Sequence, residues 1–338
     1  MKRKPSVTEF IDGLDCLIDL HLHLDGSISV ASARSLAEIQ NIPVPSNDKK
    51  LKDLLSVSDG CRDLNEYLEK FDFPCSLLQT FEALTSAVET LEAELMEQGL
   101  MYAEIRFAPQ KHCGKGMTQE QAVRAAVAGM GKSGLVSNLI LCCMRGEGNE
   151  DENFETIRVA GEFYGKGVCA VDLAGAEALF ETEKYADLFA EARKAGLKFT
   201  IHAGEADGPS SVRQALDFGA SRIGHGVRSV ENNELMKELA ERGITLELCP
   251  TSNLNTSVYP DILSYPIKKL MDAGVPVTVN TDNISVSGTT VKRELTLLAE
   301  NVGLGKEDIK KLLINSALAA FTDPETRLGL IRAINNKI

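Results

Sequence analysis

The feature of this sequence that most restricts its fold is a repeated alternation of two kinds of segment. Short apolar runs end in polar residues or glycine, and an amphipathic stretch follows each of them. From the second run onward they begin roughly 23–38 residues apart, the spacing of strand–helix units with short loops. The eight runs are Cys16–Leu24, Leu100–Ala108, Asn138–Arg145, Val168–Gly175, Lys198–Glu205, Arg222–Val227, Thr245–Pro250 and Val275–Asp282.

Strands that alternate with helices form parallel sheets, and near-continuous apolar strands are buried on both faces. Eight such units close a (β/α)8 barrel. An open doubly wound sheet is the alternative, but its usual Gly-x-Gly-x-x-Gly turn after the first strand is replaced here by the segment 21–26. We therefore predict an α/β fold of the (β/α)8, or TIM-barrel, type.

The stretches between the runs carry helix signals. Thr118 begins a capping-box pattern ahead of one amphipathic stretch. Three other stretches end at a glycine, as helices commonly do: Tyr185–Ala195, Asn233–Arg242 and Ile267–Ala273.

The interval between the first two predicted strands is longer than one helix requires. It contains the amphipathic segments Val30–Gln40 and Phe81–Glu97, so we predict that residues 27–98 form a helical insertion that lies over the barrel mouth as a lid. Residues 291–338 are predicted to form three helices on the outside of the barrel. No linker or low-complexity tract marks a boundary, so residues 1–338 are expected to form one domain.

Charge and cysteine usage restrict the partners and the compartment. The chain has 36 basic and 49 acidic residues, which gives a net charge of −13. Nucleic acids and anionic membranes attract proteins with an excess of basic residues, and this chain has no such excess. We expect neither partner, and no sequence feature indicates an oligomeric state. The eight cysteines include no Cys-x-x-Cys pair, which favours a reducing cytoplasm. The basic segment 1–5 is not followed by an apolar core, so no secretory signal is expected.

Four of the five histidines lie near the carboxyl ends of predicted strands, where a barrel of this kind places its active site. His21 and His23 are two apart on a strand and therefore point to one side. If that side is the barrel interior, their imidazoles converge and suit zinc; on an exposed strand they would be ordinary polar residues. His202 ends the fifth run, and His225 lies between two glycines at the end of the sixth. We assign no role to His112.

Two carboxylates accompany these histidines. Glu205 follows Gly204 beside His202 and is a candidate for general acid–base chemistry. Asp282 follows the eighth strand, where it would either ligate a metal or cap the next segment. The three histidines of the first and fifth strands and Asp282 together offer one divalent ion a mixed nitrogen and oxygen ligand set. Two arginines at strand ends, Arg106 and Arg145, are expected to pair with carboxylates.

The chain resembles the adenosine deaminase family, a branch of the metal-dependent amidohydrolase barrels. The resemblance rests on segments in the family's order that span nearly the whole chain: 21–27, 102–106, 172–175, 202–205, 224–226, 249–253 and 280–282. It implies that one zinc ion is bound by His21, His23, His202 and Asp282.

The same resemblance implies the remaining roles. Asp25 would bind the ribose hydroxyls beside His23, and Gly175 would contact the purine through its backbone. Glu205 would protonate ring nitrogen 1. His225 would orient or deprotonate the attacking water, which Asp282 would hold on the correct face.

One position departs from the family pattern. Well-known members have two consecutive aspartates where this chain has Asp282 and Asn283. The second aspartate is thought to bond purine nitrogen 7, an acceptor, and an asparagine amide always has a donor for it. We therefore predict that Asn283 makes this contact.

The activity that the resemblance implies is hydrolysis of adenosine and 2′-deoxyadenosine to inosine, 2′-deoxyinosine and ammonia in purine salvage. Asp25 favours a nucleoside, because adenine deaminases tend to carry Glu at that position. Deamination of adenine or of a modified adenosine is the alternative on the same site. A non-catalytic barrel that binds a purine or a partner protein is the alternative from another class.

Overall fold

A computed structural model of the chain describes residues 6–58, 61 and 63–338, so the segment 1–5 lies outside the described residues. Every predicted run contains a strand, although the fifth is only two residues long. The strands are β1 Leu17–His23, β2 Leu100–Phe107, β3 Val136–Met144, β4 Val168–Ala174, β5 His202–Ala203, β6 Arg222–His225, β7 Thr245–Leu248 and β8 Val277–Val279.

The strands form a closed barrel. The first four strands pair in parallel in the order β1-β2-β3-β4, and the last four pair in parallel in the order β5-β6-β7-β8. Two bridges close the seams between these groups, one from Val171 to Phe199 and one from Leu22 to Asp282. At the second seam the Asp282 N–H donates to the His21 carbonyl at 2.8 Å. The predicted (β/α)8 barrel is therefore confirmed.

Helices surround the barrel and fill the long interval after β1. They are α1 Val7–Asp12, α2 Val30–Gln40, α3 Asp48–Leu55, α4 Leu64–Leu68, α5 Asp72–Ser76, α6 Phe81–Glu97, α7 Gln119–Gly129, α8 Glu150–Phe163, α9 Ala186–Lys194, α10 Pro209–Phe218, α11 Asn233–Arg242, α12 Pro250–Asn255, α13 Ile267–Asp272, α14 Ile284–Ser287, α15 Val291–Asn301, α16 Lys306–Ala319 and α17 Pro324–Lys337.

The helix signals in the sequence act as predicted. The Thr118 hydroxyl caps α7 by accepting from the Gln121 N–H, and the Gln121 side chain completes the capping box. Helix α11 ends at Gly243, which adopts a left-handed conformation with φ of +64°. The insertion after β1 is helical, and three helices follow β8 and α14. Within the described part of the chain, no helix is both long and apolar enough to span a bilayer.

The centre of the barrel contains buried charges. Arg222 donates to Glu104 and to Glu247 at 2.6 Å each. Arg106 donates to Glu247 at 2.8 Å and to Asp172 at 2.7 Å, which confirms the expected pairing of Arg106 with carboxylates. A charge this deeply buried is tolerated only when it is paired.

The expectation for Arg145 is wrong in its partners. Its guanidinium donates to the carbonyls of Phe180 and His202 and to the Thr182 hydroxyl. Three neutral acceptors replace a carboxylate because the strand end at Arg145 faces Phe180 and Thr182 in the segment after β4 and the His202 carbonyl of β5.

Candidate active site

Four predicted ligands converge where β8 meets β1. The Nε2 atom of His202 lies 3.1 Å from that of His21 and 3.2 Å from that of His23. The Oδ1 atom of Asp282 lies 3.4 Å from the Nε2 atoms of both His21 and His23. The four ligand atoms all lie within 4.8 Å of one another, so they can together hold a single metal ion.

In two of these imidazoles a carboxylate partner determines which ring nitrogen carries the proton. His21 Nδ1 lies 2.8 Å from Glu247, and His202 Nδ1 lies 3.0 Å from Asp172. Because an ionised carboxylate only accepts hydrogen bonds, each Nδ1 carries a proton, and in the neutral ring Nε2 then presents its lone pair. The two Nε2 atoms face each other here beside the Asp282 carboxylate. A cation between them satisfies all three groups.

Glu247 is held in its ionised form. Burial alone would raise the pKa of Glu247, but the charges of Arg106 and Arg222 hold that pKa well below its usual value. Its two oxygens accept from both arginines, from His21 and from the Thr200 hydroxyl. The carboxylate that orients His21 is therefore itself fully engaged.

Two site residues have unusual backbone conformations. His225 and Asp282 have φ of +57° and +59°, in the left-handed region that residues other than glycine rarely occupy. Strain of this kind persists where the surrounding structure imposes it, commonly at functional sites. Close packing is also evident at Gly224, where a Cβ atom would lie only 3.1 Å from His21 Cε1.

Glu205 is buried beside the ligand cluster but held by long contacts. Its Oε1 atom lies 3.3 Å from Asn253 Nδ2 and 3.5 Å from Thr256 Oγ1, and its Oε2 atom lies 3.5 Å from His225 Nε2. Burial, together with the charge of Asp282, raises the pKa of Glu205 well above its usual value. The surroundings of Glu205 therefore favour the protonated form of its carboxyl group.

His225 is a neutral imidazole next to the same cluster. Burial lowers the pKa of His225 well below its usual value. Asn253 lies 3.2 Å from His225 Nδ1, and the Tyr265 hydroxyl donates to the Asn253 carbonyl oxygen at 3.0 Å. That bond directs the Asn253 amide N–H groups toward His225 and Glu205.

These groups open into a cavity of about 320 Å³, at the small end of the range for small-molecule sites of about 300–1,000 Å³. The predicted substrate contacts Asp25, Gly175 and Asn283 all line it, as does His23. The Asp25 carboxylate accepts from the Cys75 thiol at 3.4 Å. Asn283 is 2% exposed, and its Oδ1 atom has no hydrogen-bond partner among the described residues.

The insertion covers the outer side of this cavity. Four of its apolar residues line the wall: Leu64, Tyr67, Leu68 and Phe71. The Tyr67 hydroxyl lies 2.7 Å from the Ser287 hydroxyl on α14, which connects α4 to the segment that follows Asp282.

Sequence reasoning missed several residues that support the site. Glu247 and Asp172 orient the ligand histidines, and Asn253 contacts Glu205 and His225. An acidic residue inside an apolar strand run was the available signal for the first two. His112 is buried, neither ring nitrogen has a partner among the described residues, and it does not line the cavity.

Comparisons with known proteins show which family this chain is similar to. The family model described as "Adenosine deaminase" matches residues 16–337. The curated adenosine deaminase of Haemophilus ducreyi is 49% identical over 331 residues, covering 95% of this chain and 96% of the relative.

Two solved structures are similar over most of their length. The adenine deaminase of Arthrobacter aurescens superposes with a TM-score of 0.86 at 24% identity, covering 95% of this chain and 98% of that one. The N6-methyl-AMP deaminase of Arabidopsis thaliana superposes with a TM-score of 0.83 at 25% identity, covering 97% and 98%. The fold is thus shared by deaminases of different purine substrates.

Proposed function

This chain belongs to the adenosine deaminase family and is a deaminase, and we propose that it hydrolyses adenosine and 2′-deoxyadenosine to inosine, 2′-deoxyinosine and ammonia. One observation carries the proposal: the donors of His21, His23, His202 and Asp282 converge, and the last three line one cavity with a buried acid, Glu205.

We assign one zinc ion to the four donors. Three imidazoles and one carboxylate form a mixed set that suits zinc, and the lone pairs described above fit a cation. When bound, zinc acts as a Lewis acid that makes water a nucleophile near neutral pH.

Glu205 supplies the proton that the purine requires. Carbon 6 of adenine is a weak electrophile, because attack on it interrupts the aromatic ring. Protonation of the adjacent nitrogen 1 makes carbon 6 attackable, and a buried carboxylic acid that keeps its proton can donate it.

His225 and Asp282 act on the attacking water. The neutral His225 ring lies 4.7 Å, between centroids, from His21 and can accept a proton that the water releases. Asp282 accepts a hydrogen bond from the same water and so directs its oxygen to one face of the purine. Expulsion of ammonia from carbon 6 then leaves a 6-oxopurine.

Three other residues that line the cavity favour a nucleoside. Asp25 would accept the ribose hydroxyls beside His23, Gly175 would contact the purine through its backbone, and Asn283 would donate its amide N–H to nitrogen 7.

A 5′-phosphate would require a cluster of available cations. Of the cationic lining residues that the structure describes, Arg145 already donates both Nη atoms to protein oxygens, which leaves Lys111 at the rim. Asp25 and Asp72 line the same cavity and would repel a phosphate. We therefore favour adenosine over AMP.

The remaining parts of the chain serve this reaction in our proposal. Residues 1–338 form one catalytic domain in which the insertion 27–98 excludes water as a lid and the helices of 291–338 support the barrel. The reaction contributes to purine salvage in the cytoplasm.

A panel of substrates tests the proposal. Purified protein of known metal content is given adenosine, 2′-deoxyadenosine, adenine and AMP, and ammonia release is measured. We expect turnover of the two nucleosides at least about 100-fold faster, in kcat/KM, than that of adenine or AMP, because the ribose contacts stabilise the transition state. Activity on AMP or adenine alone would contradict it.

A further inference from the structure

One buried carboxylate joins the loops that follow β4 and β5. Glu177 is 1% exposed and lies two residues after Gly175. Its Oε1 atom accepts hydrogen bonds from Gly204 N at 2.7 Å and Ser211 Oγ at 2.5 Å, and its Oε2 atom accepts from the N–H groups of Glu205, Ala206 and Asp207 at 3.0, 2.8 and 3.0 Å.

The backbone after β5 is shaped to receive this carboxylate. Gly204 has φ of +68°, and a Cβ atom there would lie 2.5 Å from Val212 Cγ2, so the curl depends on glycine. Four consecutive N–H groups, those of residues 204–207, then point to one place and form an anion-binding concavity. The Glu177 side chain fills it as a built-in anion.

We propose that Glu177 is the positioning residue of this active site. By binding the loop that carries Glu205 to the loop that carries Gly175, it sets the position of the proton donor relative to the purine. This inference rests on the proposed function, because Glu205 must act on a purine for its position to matter.

The contacts of Glu205 explain why the backbone determines its position. Its carboxyl group has contacts of only 3.3–3.5 Å with Asn253, Thr256 and His225, which restrain it weakly. Its own N–H, in contrast, belongs to the set of bonds on Glu177. A displacement of about 1 Å in a reacting group can cost on the order of 100-fold in rate. The rigidity of the loop is therefore the main restraint on the acid.

Substitution of Glu177 by glutamine tests the inference. The glutamine amide has the size of the carboxylate, but its NH2 group can only donate hydrogen bonds. It would face backbone N–H groups that also donate, so the loop must shift. We expect Glu177→Gln to lower kcat for adenosine by about 10–100-fold while KM changes by less than about threefold, because Glu205 acts in the transition state. Zinc content should remain that of the unmodified protein.

Glu92 offers a matched control. It is fully buried and accepts from the Gly131 N–H at 2.8 Å and from the hydroxyls of Ser133 and Ser137. These partners precede and begin β3, at the end of the barrel opposite the cavity. Glu92→Gln should lower the thermal midpoint as much as Glu177→Gln does and leave kcat within about twofold, since the loss is confined to folding stability.

The outcomes separate the two proposals. If the unmodified protein does not deaminate adenosine, the proposed function fails. If it does, and Glu177→Gln keeps kcat within twofold or Glu92→Gln loses kcat equally, the positioning role fails. Should Glu177→Gln not fold, Glu177→Asp decides: it keeps the charge but withdraws it by one methylene. A kcat loss of about threefold or more at constant KM supports the role, and retention within twofold overturns it.

Discussion

The two ends of the barrel interior use similar polar side chains in opposite ways. Toward the amino ends of the strands, Glu104 accepts from Arg222, the Tyr102 hydroxyl and the Phe321 N–H at 2.5–3.0 Å. Toward the carboxyl ends, Glu205 has contacts of 3.3–3.5 Å, and imidazole lone pairs face one another. At the saturated end the polar groups have their hydrogen-bond partners, and this network stabilises the fold. At the incomplete end some polar groups remain available to bind an ion and a substrate.

Glu247 connects the two ends. It lies between Arg222 on the saturated side and His21 on the incomplete side, at 2.6 and 2.8 Å. The comparison teaches that burial alone does not define a reactive group, since Glu104 is as buried as any residue of the site. The two carboxyl groups differ in their hydrogen bonds. Glu104 accepts bonds of 2.5–3.0 Å from three groups, whereas Glu205 has only contacts of 3.3–3.5 Å.

The largest effect should follow from loss of the acid at the incomplete end. Glu205→Gln cannot donate a proton to nitrogen 1, so we expect kcat to fall by about 10²–10⁴-fold or more. KM and zinc content should change little, because the amide keeps the shape of the side chain. Steady-state kinetics with adenosine measures this, and a loss of less than tenfold would mean that another group is the acid.

The same substitution at the saturated end should affect folding only. Glu104→Gln leaves Arg222 partly unpaired, and breaking a buried ion pair costs about 3–5 kcal/mol in the free energy of unfolding. Denaturant titration measures this, and kcat per bound zinc should stay within about twofold. The exposed pair of Glu120 with Arg124 is the control, and Glu120→Gln should cost less than about 1 kcal/mol. A Glu104→Gln protein as stable as the original would refute the distinction.

Glu247→Gln should show a mixed effect because Glu247 belongs to both ends. Loss of a carboxylate that orients a ligand histidine weakens metal binding by about 10–100-fold. Competition against a chromophoric chelator gives the zinc dissociation constant. The matched control is Glu104→Gln, whose zinc affinity should stay within threefold; equal weakening in both variants would mean that general destabilisation is responsible.

The smallest effect concerns Asn283 at the cavity wall. One hydrogen bond is worth about 0.5–1.5 kcal/mol, so Asn283→Ala should lower kcat/KM for adenosine by roughly 2–13-fold. 7-Deazaadenosine, which has carbon at position 7, should bind both proteins equally when it is tested as an inhibitor. If adenosine turnover is unchanged in the variant, Asn283 does not contact nitrogen 7.

Much of the fold could be predicted because parallel strands that are buried on both faces require long apolar runs, which are visible in the sequence. The exception is β5, predicted over Lys198–Glu205 but paired with β6 only at His202 and Ala203. Its first half is joined to β4 by the bridge at Phe199, and the Phe199 and Ile201 carbonyls accept hydrogen bonds from the N–H groups of Ser221 and Gly224.

The ligand geometry could be expected from residues at strand ends, since barrel topology gathers those ends. The contacts that support these ligands and Glu205 could not be predicted from the sequence. Glu177 contacts residues 204–207 through a loop conformation that depends on positive φ at Gly204, and Asn253 on α12 contacts Glu205 through side-chain packing. No periodic pattern encodes such contacts. The neutral acceptors around Arg145 have the same origin.

Removal and replacement of the metal tests the central claim most directly. The protein is treated with a chelator, analysed for metal, and titrated with zinc while the ultraviolet absorbance of adenosine is followed. The account predicts no turnover without metal and recovery that rises linearly to one zinc per chain, with no recovery in a His202→Ala variant. Full activity in protein shown to contain no metal, or full recovery in that variant, would contradict it.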